Sequence, residues 1–155
     1  MSLASAHAFL ADKAPDLDIL ELETSTATVE QAAHAHGVAP GQIAKTLALR
    51  IGERDILVVA GGDRRLDNRK LREAFGGKAK MLDAERVLAV TGHPGGGVCP
   101  FGLATALPVY CDVSLRHFDD VLPAAGTHKI AVRLSSERLA SLTEAEWVDV
   151  CQALA

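Results

Sequence analysis

Lys45-Thr46-Leu47-Ala48-Leu49-Arg50-Ile51-Gly52-Glu53-Arg54-Asp55-Ile56-Leu57-Val58-Val59-Ala60 is the stretch that decides the fold of this 155-residue chain. Residues 45–51 read as a β-strand, 52–55 as a polar turn and 56–60 as a second strand, so the segment is a hairpin. The second strand is apolar on both faces, which places it at the centre of a sheet. A strand alternates its faces with period 2, so Lys45 shares a face with Leu47, Leu49 and Ile51, while Thr46, Ala48 and Arg50 take the other. Burying an ammonium is costly unless it is paired or solvated in a pocket. Lys45 therefore either ends its strand in water or projects into a cavity that needs a positive charge.

Working outward, residues 4–14 have helical spacing and stop before Pro15, and 17–22 alternate as a strand. Thr28-Val29-Glu30-Gln31 has the form of a capping box, opening a helix through His36 that ends at Gly37. Residues 38–44 form a turn or short helix that delivers the chain into the Lys45 strand. Gly61-Gly62 breaks the pattern. Asp67 or Asn68 caps a helix over 69–75, which Gly76-Gly77 terminates. A short strand is expected over 78–82, then a helix capped by Asp83 and closed by Gly92. Residues 107–112 read as a strand, and Pro108 near its start suggests a sheet edge. Ser114 opens a helical turn. Residues 120–123 and 129–134 read as a hairpin about the turn 124–128, and Ser135 caps the next segment. Thr143-Glu144-Ala145-Glu146 reads as a second capping box. Strands and helices interleave irregularly, without repeats or a long linker. A single α/β domain over 1–155, of mixed α+β character, is expected.

Apolar residues make up 48% of the chain and charged residues 23%, ordinary for a globular protein. Aromatics are scarce at 4%, so the core must be built from Ala, Val, Leu and Ile. No apolar run approaches the ~20 residues of a membrane span. The first six residues lack the basic start and apolar stretch of a secretory signal. Three widely spaced cysteines, Cys99, Cys111 and Cys151, disfavour a disulfide framework and fit a reducing compartment. A cytoplasmic location without membrane partners is expected. The net charge of −4 hides an asymmetry. Residues 63–80 carry seven basic and three acidic side chains, a local +4, which leaves −8 for the remainder. Such a patch either contacts a phosphate backbone or is a solvated helix face.

The loop Gly92-His93-Pro94-Gly95-Gly96-Gly97-Val98-Cys99-Pro100-Phe101-Gly102 is the second informative feature. Its glycines let backbone N–H groups approach a ligand, and its two prolines stiffen the flanks. Leu103-Ala104 stands where a Walker loop needs Lys-Ser/Thr, so the loop does not have that motif. Cys99 is a candidate thiol nucleophile if His93 or His128 meets it, and otherwise a small wall residue. His34 and His36 point to different faces of their helix, and no CxxC, HExxH or EF-hand spacing exists. Neither metal nor cofactor is expected.

Several segments in order resemble the YbaK family, also called the prolyl-tRNA synthetase-associated editing domain. They are Ile43-Ala44-Lys45-Thr46-Leu47, Val58-Val59-Ala60-Gly61-Gly62-Asp63, Leu66-Asp67-Asn68-Arg69-Lys70-Leu71, the run from Thr91-Gly92-His93 to Gly97-Val98-Cys99-Pro100-Phe101-Gly102, and the turn Ala124-Ala125-Gly126. The resemblance runs from about Thr28 to the C-terminal segment. It implies a mixed, partly barrel-like sheet flanked by helices. It also implies an aminoacyl-tRNA deacylase acting in trans on mischarged tRNA, with tRNA-Pro carrying Ala, Cys or Ser as the leading substrate and prolyl-tRNA synthetase as a candidate partner.

The resemblance also implies roles. Lys45 falls on the family's essential lysine and would hold the terminal phosphate or ester region, or polarise the carbonyl. Backbone N–H groups of the loop, with Gly97 and Gly102 foremost, and of Gly126 would stabilise the oxyanion. Gly96, Val98, Cys99, Pro100, Phe101, Ala125 and Asn68 would contact the substrate, with Val98 and Phe101 as walls. Arg64, Arg65, Arg69, Lys70 and Arg72 would meet acceptor-stem phosphates. Cys99 and Ala125 depart from residues common in relatives, and both bear on which amino acid is removed. A different class of function, a non-catalytic module that binds aminoacyl-tRNA or docks on a synthetase, has no need of a core-phase lysine.

Overall fold

The computed structural model describes residues 2–22, 28–93, 98–125 and 129–153. Its centre is the hairpin of β2 (Ile43–Ile51) and β3 (Arg54–Gly61), paired antiparallel from Ala44↔Gly61 to Ile51↔Arg54 around the two-residue turn Gly52-Glu53. Around it lie β1 (Ile19–Glu21), β4 (Ala79–Met81), β5 (Val109–Asp112), β6 (Asp120–Pro123), β7 (Ile130–Val132), β8 (Leu134–Ser135) and β9 (Glu146–Val148). Six strands run in the order β8-β6-β2-β3-β5-β9, and β4 adds to the free side of β2. The result is a mixed α/β fold with a curled half-barrel sheet.

Five helices flank it: α1 (Ser2–Lys13), α2 (Val29–His36), α3 (Asn68–Phe75), α4 (Ala84–Thr91) and α5 (Ser136–Thr143). Local chemistry sets their ends. Thr28, Asp67, Asp83 and Ser135 each accept a hydrogen bond from the backbone N–H three residues on. That satisfies donors the first helical turn leaves orphaned. Asp67 rather than Asn68 is the cap of α3. Among the described residues no helix is long and apolar enough to cross a membrane.

The alternation of β2 and β3 divides the core. Ala44 and Ala48 of β2, with Leu57 and Val59 of β3, face a large cluster that includes Leu10 of α1, Leu139 of α5, Cys99 and Phe101. Leu49 and Ile51, with Ile56 and Val58, face a smaller one closed by Leu71 of α3 and Val150. Residues 56–60 are fully buried, as expected of a central strand.

Three expectations need correction. β5 is not an edge, because it pairs with β3 on one side and β9 on the other. Pro108 precedes the strand and contributes only its carbonyl, which accepts from Leu57 N at 3.0 Å, so its missing N–H costs nothing. Thr143 does not open a capping box. It ends α5, its hydroxyl donating to the Leu139 carbonyl at 2.8 Å, and Glu144 closes the helix in the left-handed region at φ 54°. The hairpin over 120–134 is split. β6 and β7 meet only at the bridge Ala124↔Ala131, after which the chain changes sheets at Arg133: β7 pairs with β1 and β8 with β6.

Candidate active site

The partners of β2 on its outer side leave a space between them. β6 pairs with Ile43 and Ala44, and β4 with Leu49 to Ile51. A cavity of about 330 Å³ opens at that gap, within the size range of small-molecule sites. Its walls are mostly apolar. α2 supplies Val29, Ala32 and His36, β2 runs along it from Ile43 to Ala48, and Val87 of α4, Val98 and Ala124 close it. Small and aliphatic residues dominate, as the scarcity of aromatics requires.

Lys45 borders this cavity on the face in phase with Leu49 and Ile51. Its ammonium donates to the carbonyl oxygens of Gly62, at 3.5 Å, and Arg64. Two of its three donors are thus occupied by main-chain oxygens. Partial burial pulls the Lys45 pKa below its ordinary 10.5, and the carboxylates of Asp63 and Glu30 offset only part of that lowering. Gly62 allows this arrangement. A Cβ there would lie 2.5 Å from both the Pro40 carbonyl oxygen and Val29 Cγ1. Only glycine lets the strand end, the turn before β2 and α2 approach this closely.

Of the loop residues, the structure brings Val98 to the cavity and takes others elsewhere. Cys99, Pro100 and Phe101 are buried. Cys99 and Phe101 pack in the large cluster, on the sheet face opposite to Lys45, and do not line the cavity. Phe101 meets Phe9 of α1 with ring centroids 5.8 Å apart. Gly102 has φ 62°, and a Cβ on it would stand 2.2 Å from the Ser5 carbonyl. Gly102 is therefore the seat of α1 rather than a wall of the cavity. Ala125 is buried in the same cluster, its neighbour Ala124 taking the place at the cavity. Asn68 lies on the first turn of α3, away from the cavity walls. Gly96, Gly97 and Gly126, expected to act at the oxyanion, lie outside the described residues, as does His128.

Cys99 does not have the geometry of a nucleophile. It is fully buried, and the His93 nitrogen nearest it, Nε2 at 3.5 Å, also lies 2.7 Å from the Phe101 carbonyl oxygen. A carbonyl only accepts, so Nε2 carries the proton and has no lone pair for the thiol. Cys111 and Cys151 are buried too, and burial pushes both thiols up to about 12. Among the described residues no group of three potential ligands could hold a metal.

The basic segment divides into two kinds of residue. Arg65, Arg69 and Arg72 are exposed. Lys70 instead staples the C-terminal segment, binding Asp149 Oδ1 at 3.0 Å and donating to the Cys151 carbonyl at 2.9 Å. Arg64 lies beside Asp63, at 3.7 Å, and its side chain is mostly covered.

Two cavity residues escape a reading of the sequence. Thr46, next to Lys45 but on the opposite face, lies at the gap in the edge of β2. His36 lines the cavity from the last turn of α2, and burial lowers its pKa, favouring the neutral imidazole. The spacing Val29, Ala32, His36 is a helical stripe and is the one signal in the sequence that points α2 at this site.

Residues 23–142 match the family model described as "Aminoacyl-tRNA editing domain". The chain is 47% identical over 154 residues to YwhH, an uncharacterized protein of Bacillus subtilis (strain 168), with 98% of each covered. It is 32% identical over 105 residues to a proline–tRNA ligase of Citrifermentans bemidjiense, a match spanning 65% of this chain and 18% of the ligase. A crystal structure of a candidate trans-editing enzyme for prolyl tRNA synthetase shares the fold with a TM-score of 0.91 and 33% identity, covering 98% of both chains.

Proposed function

Because this chain belongs to the aminoacyl-tRNA editing domain family, we propose that it hydrolyses in trans the ester joining a small, wrongly attached amino acid to tRNA. The proposed substrates are Ala, Cys or Ser esters of tRNA-Pro, met in the cytoplasm. The observation that carries this reading is the small, aliphatic cavity with Lys45 at its rim. A small aminoacyl group together with part of the terminal ribose fits such a space, and the ammonium supplies a fixed positive charge that an ester becoming an oxyanion needs. Water adds to the carbonyl carbon, the bond to the ribose oxygen breaks, and the products are the free amino acid and the 3′-terminal hydroxyl. His36 and the ribose hydroxyl next to the ester are the groups available to move the proton. The exposed Arg65, Arg69 and Arg72 would hold the acceptor-stem backbone.

The relation to a proline–tRNA ligase and to a trans-editing structure supports the tRNA and the free-standing mode of action. The test is a panel of tRNA-Pro charged with Ala, Cys, Ser or Pro, incubated with the purified protein. Loss of a small wrong amino acid, with Pro-tRNA spared, supports the reading. Protection of all four esters rejects it in favour of a binding module.

A further inference from the structure

Every residue of β2 from Ala44 to Ile51 is in register with β3 on its inner side. Along an antiparallel strand the N–H and C=O of successive residues point alternately to one neighbour and the other. The Ala48 carbonyl accepts from Leu82 N at 3.0 Å, on the outer side. Ala44 and Arg50, in step with Ala48, are covered by β6 and β4. Thr46 is the remaining outward residue, and among the described residues nothing pairs with its N–H or C=O. Its hydroxyl oxygen is buried and has no hydrogen-bond partner among them either. Partnerless buried polar groups cost stability and call for an explanation. Here the buried hydroxyl, and the outward N–H and C=O left unpaired among the described residues, belong to one residue on the wall of the cavity.

We propose that Thr46 seats the aminoacyl group as a single added residue of strand, and that its hydroxyl selects a hydroxyl-bearing side chain, serine above alanine. This rests on the deacylase reading and names its subsite. An aminoacyl ester carries an α-ammonium and a carbonyl at the spacing of one amino-acid residue. In a hydrogen-bonded antiparallel pair two residues exchange both N–H···O bonds. The Thr46 carbonyl therefore accepts from the α-ammonium, and the Thr46 N–H donates to the ester carbonyl oxygen as that oxygen gains negative charge. This is strand addition reduced to one residue. Side chains of directly opposed residues lie on the same sheet face. The substrate side chain thus falls beside that of Thr46, on the face of Ala44 and Ala48, where walls are small. A turn about χ1 of Thr46 brings its hydroxyl to that side chain. Lys45, at the cavity rim on the other face, adds its positive charge to the same developing oxyanion.

The experiment compares single-turnover deacylation of Ser-tRNA-Pro and Ala-tRNA-Pro by the wild type, Thr46→Val and Thr46→Pro. Thr46→Val keeps the shape and deletes the hydroxyl. It is expected to slow the serine ester about 10-fold, the worth of one hydrogen bond, and to leave the alanine ester within about 3-fold. It is also expected to melt no lower than the wild type, since a methyl replaces a partnerless hydroxyl. Thr46→Pro deletes an N–H that no described strand uses, so it should fold and lose activity on both esters. An unchanged serine-to-alanine ratio in Thr46→Val overturns the proposal. So does a lower melting temperature with equal loss on both esters, which marks a structural hydroxyl. A wild type inactive on every mischarged tRNA overturns the deacylase reading and this subsite with it. An active wild type with an unaltered ratio in Thr46→Val overturns the subsite alone.

Discussion

The ammonium of Lys45 donates to the main-chain carbonyl of Arg64, nineteen residues further along the chain. That bond joins the strand bearing the cavity's charge to the turn that begins the basic segment. The C-terminal segment holds the same turn: Gln152 N donates to the Arg65 carbonyl and Asp67 N to the Val150 carbonyl, both at 2.8 Å. The position of Lys45 is thus set by backbone rather than by a carboxylate partner.

Gly62 is the weak point of this arrangement. In Gly62→Ala the new methyl meets the Pro40 carbonyl oxygen, a backbone atom that cannot rotate away. Overpacking of this kind costs roughly 1–3 kcal/mol. A lowered urea midpoint with unchanged m is expected, together with a loss of activity larger than the stability change implies, because the Gly62 carbonyl moves away from Lys45. Wild-type stability in this variant would contradict the overpacking against the Pro40 carbonyl.

The exposed arginines are predicted to act through charge alone. Arg65→Glu, Arg69→Glu and Arg72→Glu should each weaken tRNA binding similarly for every aminoacyl group. Each should also reduce the slope of log K against log salt by about 1 for every phosphate no longer neutralised. Titrations at several salt concentrations measure this. Lys70→Gln is expected to differ, lowering stability because its ion pair with Asp149 and its hydrogen bond to the Cys151 carbonyl are broken. Identical salt slopes in the wild type and all three arginine variants would remove the basic face from the interface.

His93 predicts a pH dependence of stability. Burial holds its imidazole below the ordinary 6.5. Between the folded value and 6.5 the unfolded chain binds more protons, so stability rises with pH there. The contribution is complete above about pH 6.5 and is lost as pH falls through the folded value. His93→Gln keeps a donor for the Phe101 carbonyl and removes the titration. The drop in melting temperature between about pH 7.5 and about pH 5.5 should therefore be smaller in the variant than in the wild type. Equal drops would show that other groups carry the acid sensitivity.

Much of the fold is legible because its signals are local. The polar turn within 52–55, which the structure tightens to Gly52-Glu53 by starting β3 at Arg54, the caps at Thr28, Asp67, Asp83 and Ser135, and the glycines closing α2, α3 and α4 each act within a few residues. The errors arise where a neighbour distant in sequence decides. Pro108 reads as an edge marker only if its missing N–H would have been needed, and the partner of β5 determines that. Thr143-Glu144-Ala145-Glu146 spells a capping box, yet α5 had already claimed Thr143. The site shows the same division. The phase of Lys45 follows from period 2. The gap at Thr46 is defined by where β6 and β4 stop, which no pattern within residues 43–51 contains. Cys99 and Phe101 sit in a loop that does reach the cavity, but through Val98, while they themselves fill the core under α1.

Deacylation of Ala-, Ser- and Cys-tRNA-Pro by the wild type and Lys45→Ala, followed in single turnover, tests the central claim most directly. Wild-type protein is expected to release at least one of these amino acids. Lys45→Ala should fall by at least about 10²-fold, the loss typical of one oxyanion-stabilising group, with an unchanged circular dichroism spectrum. Lys45→Ala turning over at the wild-type rate would contradict the account.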